Sequence, residues 1–251
     1  MRSITEIANC ALHRVTRMRA LIVVGERTTR VRPYTTVIPK SLLPVGRKPV
    51  IEIIVNQLKH HGFTHITICL GHSAYLVQRV LGNGEKLGLV VDYHVEEIPL
   101  WTHDPLALTK DIDGTFLVMN GDILSDINYT EMIRFHREQG ATATVAFPNR
   151  VPEIDSRFQR RGHVSAGFGR RWTFDNEEGT GIYVLDSSVL AYLVSFFSLD
   201  FPGLIRTLIG SRKKVIPFRF SGIWYDLGLA EDFRFVQDHF NRFKKSIPWL
   251  T

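Results

Sequence analysis

The sequence predicts an α/β domain built on a mainly parallel sheet that is covered by helices on both faces. Short runs rich in β-branched residues alternate with amphipathic segments from residue 19 onward. The runs are almost wholly apolar, which is typical of strands buried on both faces, and the segments between them are long enough for crossover helices. With 251 residues, 44% of them hydrophobic and 22% charged, the chain can bury a sizeable core.

The first part of the chain carries the regular alternation of strands and helices. ALIVV at 20–24 predicts a buried strand, apolar residues at 50, 51, 54 and 58 predict a helix over 49–62, and HITICL at 65–70 predicts the next strand. The further elements predicted here are a helix near 73–81, a strand at 89–95, a helix near 104–110, a strand at 115–120, a helix at 129–139 and a strand at 141–147.

After residue 150 the alternation is looser. A stretch rich in Gly and Arg at 160–171 comes first. The elements predicted after it are a strand at 180–185, helices near 187–194 and 201–209, a strand around 214–218 and a closing helix at 230–243. The sequence contains no internal repeat and no low-complexity linker, so we predict a single domain.

The first 17 residues differ from the rest of the chain. They lack the apolar core of a signal peptide and precede a second methionine, Met18. We predict that residues 1–17 are a leader, either disordered or a misassigned start, and that the domain spans 18–251. Three arginines against one glutamate give this leader +2 of the net charge of +6.

Composition limits the compartment and the partners. Two cysteines cannot form a disulfide framework, and no apolar run approaches the roughly 18 residues of a membrane helix, so we expect a cytoplasmic protein without a membrane partner. The positive charge is compatible with nucleic acid or with a small anion. Basic residues are not concentrated on one stripe with interleaved aromatics, which argues against nucleic acid.

The loops that follow predicted strands are where ligands bind in open α/β sheets. The loop at 25–45 carries threonines and four cations, Arg27, Arg30, Arg32 and Lys40. Backbone N–H groups and hydroxyls in such a turn can cradle phosphates whose charge nearby cations neutralise. The alternative is a solvated basic loop.

Two carboxylates also follow predicted strands. Asp122 comes after the most apolar run of the chain, and Asp226 lies between a predicted strand and a helix. A carboxylate in such a position is typically an Mg²⁺ ligand or a helix cap. We expect the two to converge, because adjacent parallel strands present their ends to one crevice.

These segments together resemble the sugar-1-phosphate nucleotidyltransferases, also called nucleotide-sugar pyrophosphorylases. The family's G-G-x-G-T-R-L-x-P loop and P-K-x-L-x-P-V segment correspond to 25–33 and 39–45. Its N-G-D, G-I-Y-V-L and W-x-D-I-G-x-x-E-D motifs correspond to 120–122, 181–185 and 224–232. The style of FLVMNGDILSDIN is most similar to mannose-1-phosphate guanylyltransferase-like members, which favours GTP over UTP, dTTP or ATP.

The resemblance implies a three-layer Rossmann-like fold with a mixed, mainly parallel sheet and helices on both faces. It also implies an enzyme that joins a nucleoside triphosphate to a sugar 1-phosphate or sugar-like phosphate and releases pyrophosphate. The cofactor implied is Mg²⁺. The expected partners are these two substrates, with a homodimer as the expected assembly.

Carried over to this sequence, the family pattern assigns a role to each matching residue. Arg30 would hold the β- and γ-phosphates and Lys40 the α-phosphate, while Asp122 and Asp226 would ligate the metal. The nucleotide-binding residues implied are Val24, Gly25, Glu26, Thr28, Thr29, Glu96, Trp101 and Thr102. Those implied on the sugar-phosphate side are Gly121, Arg171, Gly181 and Tyr225.

The chain departs from the family pattern at several of these positions. Glu26 and Thr28 replace loop glycines that let the backbone approach a nucleotide, and Trp101 adds bulk to the loop that recognises the base. The family also has an E-K-P motif whose lysine contacts the sugar phosphate. This motif is absent here, and Arg171 is the cation expected to take the place of that lysine. An alternative is therefore a catalytically impaired family member that binds nucleotide or sugar nucleotide as a regulatory subunit.

Overall fold

The computed structural model describes residues 18–24, 38–71, 74–95, 112–149, 180–193, 201–247 and 249. The predicted leader, the loop at 25–37, the helix near 104–110 and the stretch at 160–171 lie outside these residues. The domain boundaries at 18 and 251 therefore stay predictions. Within the described ranges, no helix is long and apolar enough to cross a membrane.

The described residues form eleven strands and seven α-helices. The strands are β1 (Arg19–Val24), β2 (Pro44–Val45), β3 (Lys48–Pro49), β4 (His65–Leu70), β5 (Val90–Val95), β6 (Thr115–Asn120), β7 (Ile123–Ser125), β8 (Ala143–Pro148), β9 (Ile182–Asp186), β10 (Val215–Phe220) and β11 (Trp224–Asp226). The helices are α1 (Val50–His60), α2 (Ala74–Leu81), α3 (Tyr129–Glu138), α4 (Leu190–Leu193), α5 (Phe201–Gly210), α6 (Ala230–Asp238) and α7 (Phe240–Ser246). Short 3-10 turns occupy Lys40–Leu42, Glu85–Leu87 and Ser187–Val189.

Seven strands form the main sheet, in the order β10-β8-β9-β6-β1-β4-β5. β1 pairs in parallel with β4 and β6, β4 with β5, and β8 with β10. β9 runs antiparallel to both of its neighbours, β6 and β8. The sheet is therefore mixed but mainly parallel, which confirms the predicted fold class.

The two faces of the sheet carry separate apolar cores. Along β1, Ala20, Ile22 and Val24 pack into one core while Leu21 and Val23 pack into the other, as the two-residue period of a strand requires. Helices α1, α2, α3, α6 and α7 contribute to the first core, and α5 contributes Phe201, Leu204, Ile205 and Leu208 to the second. Helices on both faces are thus confirmed.

The closing helix predicted at 230–243 is broken in two. α6 ends at Asp238 because the φ of −109° and ψ of 17° at His239 are not helical, and α7 begins at Phe240. The residues that follow the break make tertiary contacts, which the helical periodicity of this segment does not indicate. Phe240 lies against Gly46, and the ring of Phe243 lies 5.4 Å from that of Tyr225.

The same C-terminal helices hold the hairpin that follows Lys40. The side chain of Gln237 in α6 donates a hydrogen bond to the carbonyl of Pro44 in β2. Phe240 covers the turn between β2 and β3 at Gly46. The end of the described chain therefore packs on the segment that carries a predicted functional lysine.

Burial of His136 makes the stability of the protein sensitive to acid. The side chain is 2% exposed and its Nδ1 lies 2.9 Å from Thr144 Oγ1. Burial lowers the pKa of His136 from 6.5 to about 4, with a smaller opposing effect of Asp186. Between pH 4 and pH 6.5 the unfolded chain binds a proton at His136 that the folded chain does not. The contribution of neutral His136 to the free energy of unfolding is therefore fully present above pH 6.5 and is lost as the pH falls toward 4.

We expect the free energy of unfolding to fall by on the order of 2 kcal/mol more between pH 7.5 and pH 5 in the wild type than in His136→Asn. Asparagine can still bond Thr144 but does not titrate. Urea unfolding at both pH values measures the difference. His61, whose pKa burial also lowers to about 4, leaves a residual slope in both proteins. Equal pH dependence of the two proteins would contradict the assignment.

Candidate active site

The predicted functional residues that the structure describes lie at the carboxyl edge of the central parallel strands. β6 ends at Asn120, and the backbone N–H of Gly121 donates to the carbonyl of Val23 near the end of β1, at 2.9 Å. This bond places Asp122, the next residue, beside the ends of both strands. Val24 itself is 8% exposed and packs into the core.

Asp226 lies at the same place because of a strand pairing that the sequence did not indicate. β11 pairs antiparallel with β7, in a two-stranded sheet separate from the main one, and Asp226 lies opposite Ile123. The N–H of Leu227 donates to the carbonyl of Asp122 at 2.9 Å. The carboxylates do converge, but through this antiparallel pair and not, as we expected, through adjacent parallel strands.

Three charged side chains surround one point in space. Lys40 Nζ lies 3.4 Å from Asp122 Oδ2. A Cβ added to Gly228 would lie 2.8 Å from both Lys40 Nζ and Asp226 Oδ1, and 2.9 Å from Asp122 Oδ2. The absence of a side chain at Gly228 is what leaves room for these groups to meet.

The electrostatics of this cluster disfavour two free carboxylates. Burial raises the pKa of Asp226, and the charge of Asp122 raises it further. The Gly228 N–H, which donates to Asp226 Oδ1 at 2.8 Å, and the ammonium of Lys40 oppose this rise. Asp232 adds a smaller repulsive effect. One lysine therefore does not offset the negative charge gathered around Asp226, and a bound cation would.

The donor set fits Mg²⁺, which is the metal that the family resemblance implies. Carboxylate oxygens of Asp122 and Asp226 are hard ligands that approach one point, and Mg²⁺ commonly takes one or two carboxylates together with substrate phosphates and water. Among the described residues, no group of three or more His, Cys, Asp or Glu side chains could hold a metal ion. The remaining ligands would thus come from substrate and solvent.

Gly181 lies at the start of β9 and faces the end of β6. Its carbonyl accepts the N–H of Asn120 at 2.9 Å, and its φ of +73° is a conformation that favours glycine. A Cβ here would lie 2.6 Å from Asn120 Nδ2. Gly181 therefore permits the Asn120 amide to lie against its backbone at the edge of the site.

Tyr225, which we predicted near the sugar, faces the core instead. Its side chain is 8% exposed, and its ring lies 5.5 Å from that of Phe235 and 5.4 Å from that of Phe243. Successive residues of a strand point to opposite sides, so Tyr225 and Asp226 cannot both face the site. Its tertiary role is to pack β11 on the C-terminal helices.

The other predicted site residues lie outside the described residues. They are Gly25, Glu26, Thr28, Thr29, Arg30, Glu96, Trp101, Thr102 and Arg171. The structure also brings three residues to the site that we had not named as candidates. Asn120, Gly228 and Asp232 all belong to the motifs matched in the sequence, but spacing alone did not indicate their contacts.

Comparison with known proteins shows similarity to one family. The model of the nucleotidyl transferase family matches residues 19–158. A UTP–glucose-1-phosphate uridylyltransferase of Synechocystis is 29% identical over 240 residues, and a mannose-1-phosphate guanyltransferase of Candida albicans is 28% identical over 239. Each alignment takes in 86% of this chain but only 61% and 62% of the relative, so the chain spans less than two thirds of their length.

A solved structure shares the fold. A Bacillus anthracis protein, provisionally assigned as a glucose-1-phosphate thymidylyltransferase, superposes with a TM-score of 0.74 at 24% identity. The match covers 88% of this chain and 94% of that one. At this level of identity the likeness supports the three-layer architecture.

The role of the missing side chain at Gly228 can be tested by adding a methyl group there. Gly228→Ala is expected to weaken binding of Mn²⁺, a spectroscopic substitute for Mg²⁺, by roughly 10- to 100-fold, because the new methyl displaces the groups around it. Gly210→Ala is the matched control, since a Cβ there meets nothing within 4 Å. Electron paramagnetic resonance titration measures free Mn²⁺. Unchanged affinity in a folded Gly228→Ala protein would contradict the arrangement.

Proposed function

The chain belongs to the nucleotidyl transferase family, and from this premise we propose that it transfers a nucleotidyl group from a nucleoside triphosphate to a sugar 1-phosphate. The observation that carries the proposal is the convergence of Lys40, Asp122 and Asp226 on one point at the carboxyl edge of β1 and β6. Two carboxylates and a lysine in this position suit a reaction between two polyanions.

In the proposed reaction a phosphate oxygen of the sugar 1-phosphate attacks the α-phosphorus of the triphosphate. The bond between the α-phosphorus and the oxygen bridging to the β-phosphate breaks, and pyrophosphate leaves with the electron pair. No covalent intermediate on the protein is needed, so positioning and charge neutralisation are the protein's contribution. Lys40, whose ammonium faces the shared point, would contact the α-phosphate.

We propose Asp122 and Asp226 as the residues that hold Mg²⁺. When bound, the cation would neutralise charge on the α-phosphate and the sugar phosphate. Gly228 leaves the space that this requires, and the hydrogen bond from Leu227 to Asp122 keeps the two carboxylate loops in register. Arg30 would hold the β- and γ-phosphates and stabilise the departing pyrophosphate.

The remaining assignments divide the crevice between the two substrates. Gly121 and Gly181, at the facing ends of β6 and β9, are proposed for the sugar-phosphate side together with Arg171. The proposed nucleotide side comprises the end of β1 at Val24, whose side chain packs into the core, and the loop after it with Gly25, Glu26, Thr28 and Thr29. Glu96 and the base-recognition loop with Trp101 and Thr102 complete the proposed nucleotide side.

GTP is the triphosphate that we propose. Its support is the motif style around Asp122 and the several matching relatives named as mannose-1-phosphate guanylyltransferases, at 27–32% identity. The relative from Synechocystis is named for UTP and glucose 1-phosphate, so UTP is the competing substrate.

The activity can be tested by pyrophosphate release with the four triphosphates against a panel of sugar 1-phosphates. We expect turnover with at least one pair, highest with GTP, and loss of turnover when EDTA chelates the metal. Failure with every pair, while nucleotide still binds by calorimetry, would contradict the enzyme proposal and favour the regulatory alternative. A higher kcat/KM with UTP than with GTP would contradict only the base assignment.

The role of the two carboxylates in turnover can be tested with variants that remove their charge and keep the fold. Asp122→Asn and Asp226→Asn are each expected to lower kcat by about 100-fold or more, because each removes a charge from the metal site. Asp238→Asn, in an exposed position at the end of α6, is the matched control and should retain wild-type turnover. Urea midpoints establish that all three variants are folded. Near-wild-type rates in either site variant would eliminate the two-carboxylate metal site.

A further inference from the structure

Asp232 is a buried carboxylate in the first turn of α6. It is 4% exposed, whereas its neighbour in the same turn, Glu231, is exposed. Carboxylates are rarely buried to this extent unless a specific partner holds them. Its burial therefore indicates that a specific hydrogen-bond partner holds the Asp232 carboxylate in place.

The side chain of Asp232 bonds the strand that carries Asp226. Its Oδ2 accepts the backbone N–H of Asp226 at 3.0 Å. An acid at the third position of a helix commonly reaches back to the N–H of the cap residue. Here the cap residue is Leu229, and its N–H donates instead to the carbonyl of Asp226 at 2.9 Å. Asp232 thus reaches past the cap to the end of β11.

This bond completes the restraint of the loop between β11 and α6. The N–H of Leu227 donates to the carbonyl of Asp122 at 2.9 Å, and the N–H of Gly228 donates to Asp226 Oδ1 at 2.8 Å. With the bonds from Asp226 and Leu229, each N–H from 226 to 229 has an acceptor. Asp232 supplies the one that holds the backbone of Asp226 itself.

We propose that Asp232 is a positioning residue for Asp226. By accepting the Asp226 N–H, its carboxylate fixes the end of β11 so that the Asp226 side chain stays aimed at the point shared with Asp122 and Lys40. Its main contribution is geometric: the hydrogen bond needs only an acceptor in this place, which an amide oxygen also provides, and the charge of Asp232 adds only the smaller repulsive effect on Asp226 described above. The inference rests on the proposed function, since it assigns Asp226 to the metal site.

The experiment compares variants of the full chain at Asp232. Asp232→Ala removes the acceptor, Asp232→Asn keeps an acceptor without the charge, and Glu231→Ala removes a charge from the same helical turn without touching Asp226. The readouts are the Kd for Mn²⁺ by electron paramagnetic resonance, the Mg²⁺ concentration for half-maximal pyrophosphate release, and the urea midpoint. The first needs no turnover.

Asp232→Ala is expected to raise the Kd for Mn²⁺ and the half-maximal Mg²⁺ concentration by roughly 10- to 100-fold. Asp232→Asn should lie close to the wild type in both, as should Glu231→Ala. If Asp232→Ala does not fold, Asp232→Glu replaces it. Its longer side chain keeps the charge but displaces the acceptor, so it should also weaken Mn²⁺ binding.

Two results would overturn the inference while leaving the proposed function in place. One is a folded Asp232→Ala, or Asp232→Glu in its stead, with wild-type Mn²⁺ affinity. The other is a lowered urea midpoint with no change in either metal constant, which a purely structural role would produce. A wild-type protein that neither binds Mn²⁺ nor releases pyrophosphate would overturn the proposed function itself, and the inference with it.

Discussion

The candidate site depends on one contact between distant parts of the chain, the pairing of β7 with β11. This short antiparallel pair lies outside the seven-stranded sheet, yet it brings Asp226 to Asp122 across 104 residues of sequence. The hydrogen bond from Leu227 to the Asp122 carbonyl continues the pairing into both loops. Without this contact, the described part of the main sheet would present Asp122 without Asp226.

Bringing like charges together has an electrostatic cost, which the surrounding residues limit. Lys40 offsets part of the negative charge, and the N–H groups of Gly228 and Asp226 are satisfied by carboxylates within the cluster. Without a bound cation the carboxylates of Asp122 and Asp226 repel each other, and a bound cation would relieve this repulsion. This is the usual condition of sites whose residues are preorganised for a charged ligand.

The C-terminal helices connect this chemistry to the fold. Phe235 and Phe243 pack on Tyr225, next to Asp226, while Gln237 and Phe240 hold the hairpin after Lys40. Each helix makes one contact of each kind: α6 contributes Phe235 and Gln237, and α7, after the break at His239, contributes Phe243 and Phe240. Lys40 and Asp226 are therefore positioned by the same pair of helices.

The sequence by itself predicted the seven strands of the main sheet and the family, but not the short strands β2, β3 and β7. Hydrophobic periodicity predicted the bounds of β4 and β6 to the residue, since strands buried on both faces leave a continuous apolar run. The motifs singled out Lys40, Asp122 and Asp226 as candidates, because the proposed transfer between phosphates calls for a cation and for carboxylates that can hold a metal. Only the tertiary structure decided the antiparallel course of β9, the break at His239, the inward ring of Tyr225 and the bond from Asp232 to Asp226. Each of these last features depends on how separate segments pack in space, and local periodicity and motif spacing do not report such contacts.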